Sequence, residues 1–291
     1  MKLPPFEYAC PTRLSDAVAL LAAHNGDAKL LAGGQSLVPM LAFRLAAPSL
    51  LVDLRKVPDL RRIDISARGV TLGAMVRWCD ILSHARLRVA HPLLATAVTH
   101  VAHYQIRNRG TIGGSIAHAD PAAEIPGIAL TCEAEMAVVG SAGARAIKAA
   151  DFFLGALTTA LAPDEIIVEI RFPAWPAARR FGFQEFARRR GDFAMAAAAV
   201  WYDQDESGKA RNAHVGAIGV GDRPLRLAAV EAVLDGRAID EAVIAEAEAA
   251  ASAAVDPQTD IHASADYRRA LAGTMVERAL RDAAGAPAGE G

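Results

Sequence analysis

Thr111-Ile112-Gly113-Gly114-Ser115-Ile116-Ala117-His118-Ala119-Asp120 is the stretch on which the reading of this chain turns, together with Ala32-Gly33-Gly34-Gln35-Ser36-Leu37, about eighty residues before it. Each sets a glycine pair ahead of a hydroxyl residue and then an apolar one. Paired glycine removes Cβ where another group must come close and permits positive φ, so successive N–H groups can form a concave nest for anionic oxygens. Two such loops on one ligand point to a diphosphate. Neither is the G-x-G-x-x-G of a Rossmann turn, and no G-x-x-x-x-G-K-[ST] occurs. Gly216-Ala217-Ile218-Gly219-Val220-Gly221 has the spacing reversed and reads as a strand running into the turn Asp222-Arg223-Pro224.

Working outward, 291 residues of which 53% are hydrophobic suffice for one large domain or two ordinary ones. A formal charge of −2 offers no net field for nucleic acid or an anionic membrane. No stretch approaches the roughly 18 uncharged apolar residues that span a bilayer, so no transmembrane segment is expected. The first residues lack the apolar core of a secretion signal, which makes the cytoplasm the expected compartment, with peripheral association at the inner face of the membrane left open. Cys10, Cys79 and Cys132 are odd in number and far apart, fitting neither a disulfide framework nor an iron–sulfur or zinc cluster on this chain alone. No metal site is expected, and any metal centre that feeds electrons to the protein lies elsewhere.

Apolar spacing and caps predict a helix over 15–24, a strand over 28–32, a helix over 36–44 and a strand over 50–54. Residues 61–65 and 70–74 read as a hairpin around Arg68-Gly69, and 78–103 as helical with a break at Pro92. Strands follow at 128–131 and 136–139, a helix at 149–157 and a strand at 165–172. Pro173-Ala174-Trp175-Pro176 is the expected domain linker. Beyond it, strands at 181–186, 194–202 and 210–220 precede helices at 225–234, 240–254 and 264–284. Strands first and helices later suggest helices packed on an antiparallel sheet. The tail 285–291 is Gly/Ala/Pro-rich and expected to be disordered.

Several polar residues near the glycine motifs carry two readings each. His118 either contacts a ligand or fills a turn. Asp120 and Glu124 either accept sugar hydroxyl hydrogens or cap a helix that begins near Pro121. Arg188-Arg189-Arg190 is either a solvated face or a contact for a ligand or partner. His100 and His103 stand three apart on a helix, but no third ligand follows at metal spacing. No Ser-His-Asp or Cys-His arrangement is identifiable, so no catalytic side chain is assigned.

Residues 29–37 and 111–124, with 163–167, 190–194, 219–224 and 266–269, resemble the flavoprotein (medium) subunit of carbon-monoxide-dehydrogenase-type molybdenum hydroxylases, relatives of xanthine dehydrogenase. The resemblance covers nearly the whole chain. It implies an α+β fold: an FAD-binding domain of the vanillyl-alcohol-oxidase type over 1–176, in two subdomains meeting near 55–60, then a domain of three-stranded antiparallel sheet with helices over 177–284. It implies FAD held by Leu30, Leu31, Ala32, Gly33, Gly34, Gln35, Ser36 and Leu37, and by Gly110, Thr111, Ile112, Gly113, Gly114 and Ser115. The diphosphate would rest on backbone amides and on the hydroxyls of Ser36, Thr111 and Ser115. Val101, Ala117 and His118 complete the set, with Asp120 and Glu124 by the sugar hydroxyls and Ile167 meeting the flavin or adenine through its backbone.

Phe193 and Gln184 are placed near the flavin by the same resemblance. At the first, some relatives carry Tyr or Trp, so a stack is kept but a phenolic hydrogen bond is not. At the second, xanthine dehydrogenases have Lys, and without that cation NAD becomes a less suitable acceptor. The implied function is electron transfer from [2Fe–2S] clusters of a small subunit, fed by a large molybdopterin subunit, through this FAD to an external acceptor, in a dimer of heterotrimers. A self-sufficient FAD oxidase, and a flavin-free nucleotide-binding assembly subunit, are the alternatives.

Overall fold

Leu50-Leu51-Val52 is an unbroken apolar run, as a strand buried on both faces requires. The computed structural model, which describes residues 2–285, places it as the centre of a three-stranded parallel sheet. β1 (Glu7–Ala9), α1 (Leu14–Ala23), β2 (Ala28–Leu31), α2 (Leu37–Ala42) and β3 (Leu50–Asp53) make up this layer, in the order β1-β3-β2. Ala17, Val18 and Leu21 of α1 sit with Val52 in one core.

A 3-10 turn at Leu54–Lys56 leads into β4 (Ile63–Ser66) and β5 (Gly69–Gly73). Four short helices follow: α3 (Trp78–Ser83), α4 (Ala85–Ala90), α5 (Pro92–Val98) and α6 (Tyr104–Arg107). The helical stretch expected over 78–103 is therefore broken twice before it ends. His84 and His91 are the physical reason, because each Nδ1 accepts an N–H of the next helix, from Leu87 and Leu94.

α7 (Ile112–His118) and α8 (Glu124–Thr131) come next, then β6 (Glu135–Gly140), β7 (Gly143–Lys148), α9 (Ala149–Phe152), β8 (Phe153–Gly155), β9 (Thr158–Thr159) and β10 (Ile166–Pro173). β4-β5-β10-β6-β7 form one antiparallel sheet. Ile112, Ile116, Ile125 and Ile128 pack with Leu72, Met136 and Ile170 in the largest core.

Residues 128–131, expected as a strand, are the last turn of α8. Their run is apolar on every face, so its periodicity does not separate a buried helix from a strand. The helix expected over 149–157 stops at Phe152 and becomes the β8–β9 hairpin, closed by Leu157 at φ 54.

The expected linker is ordered. Pro173 pairs with Gly69 at the end of β10, and the Trp175 ring lies 4.7 Å from His91, 5.9 Å from Phe181 and 6.1 Å from Trp201.

Beyond it, β11 (Arg180–Phe186), β12 (Ala196–Gln204) and β13 (Ala210–Ile218) are the three expected strands. β14 (Leu225–Arg226) adds a two-residue fourth where a helix was expected, so α10 (Ala228–Leu234) starts late. α11 (Glu241–Ala254) and α12 (Ala265–Ala284) complete the chain. β12 is buried on both faces: Ala197, Ala199 and Trp201 join the core of the preceding sheet, while Ala198, Val200 and Tyr202 face Met275, Val276 and Leu280. Small residues let α12 approach closely, and any Cβ at Gly182 of β11 would strike the Ala279 carbonyl. Gly285 caps α12 at φ 73; the rest of the expected disordered tail lies outside the described residues.

Candidate functional site

The two glycine motifs meet because neither carries a Cβ at the contact. A Cβ on Gly33 would stand 2.8 Å from Gly110 Cα, against the Arg109 carbonyl, and one on Gly110 would stand 2.7 Å from Trp78 Nε1. A Cβ on Gly113 would stand 2.5 Å from Ala74 Cβ and 2.7 Å from its carbonyl oxygen. These glycines serve backbone-to-backbone approach within the protein. Gly34 is the one that needs left-handed backbone, at φ 73.

The motifs differ in what their amides do. Residues 111–118 are not a loop, since Thr111 caps α7 by accepting the Gly114 N–H at 3.2 Å. Ile112, Gly113 and Ser115 donate to the carbonyls of Val76, Ala74 and Thr111. The expectation that backbone amides of 111–115 cradle an anion is corrected accordingly: those of 112–115 are already used inside the protein. In the first motif the amides of Gly33, Gly34, Gln35, Ser36 and Leu37 have no acceptor among the described residues. The hydroxyls of Ser36 and Ser115 are likewise without one. Five consecutive N–H groups without an acceptor among the described residues leave the first motif open to anionic oxygens, and the second motif adds hydroxyls and shape.

A cleft of about 1430 Å³ runs from this nest between the layers to the start of the C-terminal sheet. Leu30, Ala32, Gly33, Gly34, Gln35, Ser36 and Leu37 line it, as do Val101, Gly110, Thr111, Gly113, Gly114, Ser115, Ala117, His118, Asp120, Glu124, Ile167 and Phe193. Three expected residues do not. Ile112 is fully buried in the central core, where its branched side chain anchors α7. Leu31, the last residue of β2, is not among the lining residues, and its Cδ1 lies against Gly34. Gln184 sits on the face of β11 toward α12 and donates to Asp282 at 2.6 Å, so strand alternation turns it from the cleft.

The double readings resolve partly. Asp120 accepts the Ala122 N–H at 2.9 Å in a tight turn, while the N-cap of α8 is Ala123. Glu124 is 5% exposed in the first turn of α8, and burial, then the nearby Glu185 charge, push its carboxyl up to about 8. Phe193 is 60% exposed on the wall. Of the arginine run only Arg188 lines the cleft.

An elongated ligand with an anionic centre fits this shape: free amides for the charge, Asp120 for hydroxyls and the exposed Phe193 ring for a flat ring. A family model described as the FAD binding domain in molybdopterin dehydrogenase matches residues 4–175. The chain belongs to this flavoprotein family. A second model, the CO dehydrogenase flavoprotein C-terminal domain, matches residues 181–283. The "6-hydroxypseudooxynicotine dehydrogenase complex subunit alpha" of Paenarthrobacter nicotinovorans is 40% identical over 97% of this chain and 96% of its own. The carbon monoxide dehydrogenase medium chain of Hydrogenophaga pseudoflava is 38% identical over 96% and 97%. A solved structure of that organism's enzyme superposes with a TM-score of 0.94 at 40% identity, covering 97% of this chain and 98% of the other. The chain is thus an FAD-dependent oxidoreductase subunit of the molybdenum hydroxylase family.

Sequence reasoning missed two parts of this site. Arg268, 8% exposed, donates to the Met195 and Gly219 carbonyls at 2.8 and 2.9 Å and pairs with Asp260 at 2.7 Å. It ties three segments into the far wall, and an arginine in phase with Leu271 and Met275 on the apolar side of α12 was its signal. Glu185 was also overlooked, although period-two alternation on β11 sets it on the apolar face with Phe181 and Phe183.

Proposed function

We propose that this chain is the FAD-carrying electron-transfer subunit of a molybdenum hydroxylase, taking electrons from [2Fe–2S] clusters of a small partner and passing them to an external acceptor. A large molybdopterin subunit completes the unit, which pairs as a dimer of heterotrimers in the cytoplasm. Names of the relatives support a subunit of a larger complex, and among the described residues no helix is long and apolar enough to cross a membrane. Residues 1–176 form the FAD-binding domain in this reading, and 177–284 the domain that closes the cleft.

The run of free amides at 33–37 carries the reading. FAD, when bound, supplies the link between one-electron and two-electron carriers. The chain's own residues bind and orient it. Gly33 through Leu37 donate to the diphosphate, Ser36 and Ser115 add hydroxyl donors, and Asp120 accepts from sugar hydroxyls. Phe193 offers an apolar face to the rings and Ile167 meets one of them through its backbone, while Arg268 holds the opposite wall through the Met195 and Gly219 carbonyls.

The test is a visible spectrum of the purified chain, followed by anaerobic substrate addition. The expected result is a bound flavin that small N-heteroaromatic substrates leave oxidised until the molybdenum and iron–sulfur partners from the same gene cluster are added. Bleaching of the isolated chain would mark a self-sufficient oxidase, and a colourless chain that takes up no FAD would mark an assembly subunit.

A further inference from the structure

The β8–β9 hairpin contributes to one wall of the cleft, and its turn carries a residue that does not suit it. Ala156 and Leu157 join the paired residues Gly155 and Thr158, and Leu157 stands at φ 54, in the left-handed region. Such a turn position favours Gly or Asn, because a bulky side chain there crowds its own backbone. Among the described residues Leu157 is the one bulky apolar residue with positive φ. Burial within the chain does not account for the choice, since Leu157 is 53% exposed. The hairpin is nonetheless firmly held. Phe152 and Phe153 anchor its base in the central core, Ala160 donates to the Phe152 carbonyl at 2.9 Å, and the Leu157 N–H donates to the Ala119 carbonyl at 3.1 Å. Arg223, in the turn after β13, donates to the Leu154 carbonyl at 3.3 Å. Ala119, the C-cap of α7, is itself left-handed at φ 51. Two strained residues therefore meet through one hydrogen bond next to Asp120, and both Leu157 and Asp120 line the cleft. Strain kept without a gain inside the chain marks a place where function sets the residue.

We propose that Leu157 is a cofactor-covering residue, whose side chain lies over the stretch of FAD beside Asp120 and keeps water from it. The inference rests on reading the cleft as the FAD site, and it adds a contact outside the two glycine motifs. A leucine half exposed in the flavin-free chain loses that exposure when an elongated ligand fills the cleft, and the apolar burial then offsets the strain of the turn. The bond to Ala119 fixes where the side chain falls, because it ties the turn to the residue just before Asp120. Gly or Asn at position 157 would relax the turn and leave that part of the ligand open to water. The hairpin thus keeps a poor turn residue for the ligand it covers.

The experiment compares the full chain, with and without FAD, for wild type, Leu157→Asn and Leu157→Met. It reads Tm by calorimetry, the FAD Kd by titration of the flavin-free chain, and iodide quenching of the bound flavin's emission. Without FAD, Leu157→Asn should melt no lower than wild type, because Asn suits the left-handed turn. Its Kd for FAD should rise about fivefold, the size expected when roughly half of a leucine side chain no longer buries against the ligand. Iodide should also quench its bound flavin more strongly. Leu157→Met keeps an apolar cover and should hold the Kd within about twofold of wild type. Equal Kd and equal quenching in wild type and Leu157→Asn would overturn the proposal. So would a Leu157→Met chain weakened as much as Leu157→Asn, since the apolar cover is then not what matters. A flavin-free Leu157→Asn chain that melts lower, or does not fold, would overturn it too, because the leucine then serves the fold. A wild-type chain that takes up no FAD sinks the reading of the cleft itself, whereas unchanged variants of a chain that binds FAD sink this inference alone.

Discussion

Replacing Gly33 with Ala tests whether this glycine is spent on loop apposition that shapes the nest. The new Cβ would meet the Arg109 carbonyl and stand 2.8 Å from Gly110 Cα, all backbone, so nothing flexible can yield. Overpacking of this kind costs about 1–3 kcal/mol. In a chain of this length that lowers Tm by roughly 2–5 °C. Relief requires the 33–37 amides to shift away from the 109–110 segment, and FAD affinity should fall at least tenfold, about 1.4 kcal/mol.

Gly143→Ala is the control, because Gly143 lies at φ 114 with nothing within 4 Å of its built Cβ. Strain alone costs it about 1–3 kcal/mol, so its Tm should fall similarly. Flavin retention, read by visible absorption after dialysis, should then separate the two variants. A Gly33→Ala protein that keeps FAD with wild-type affinity would refute the reasoning, whatever its Tm.

Three further outcomes follow from particular contacts. Arg268→Ala should cost about 3 kcal/mol in urea unfolding and weaken FAD, since Met195 and Gly219 lose a charged donor. Phe193→Ala should change stability by less than about 0.5 kcal/mol but alter the fluorescence of bound flavin, because the ring is exposed on the cleft wall. Burial holds the fully enclosed His91 imidazole down at about 3, below the ordinary 6.5 of the unfolded chain. The unfolded chain therefore gains a proton as pH falls below about 6.5, and this residue should remove about 2 kcal/mol of stability by pH 5. His91→Asn should flatten that part of the pH–stability curve in chemical denaturation.

How much was legible in advance varies with the kind of interaction. The helix at 265–284 was legible because its burial pattern is local and periodic, and the strand at 50–53 because it is a short apolar run followed by polar residues. Residues 128–131 were not, since an apolar run enclosed on all sides has no polar face to set its period. Gln184 and Glu185 show the same limit in the site. Adjacent on one strand, they point to opposite faces, and a resemblance by position could not say which face meets the cleft.

The sequence by itself determined that two glycine motifs, a polar cluster at 111–124 and an α+β succession of elements belong to an FAD-binding medium subunit. Glycine placement and residue chemistry are written along the chain, so a resemblance can carry them. Tertiary structure decided which amides are free. The 112–115 N–H groups are consumed by Val76, Ala74 and Thr111, residues of another element or of the cap itself, whereas those of 33–37 remain open. It also decided that Glu124 and Glu185, 61 positions apart, are both buried. Hydrogen-bond partners and solvation are properties of what folding brings near, and local sequence does not contain them.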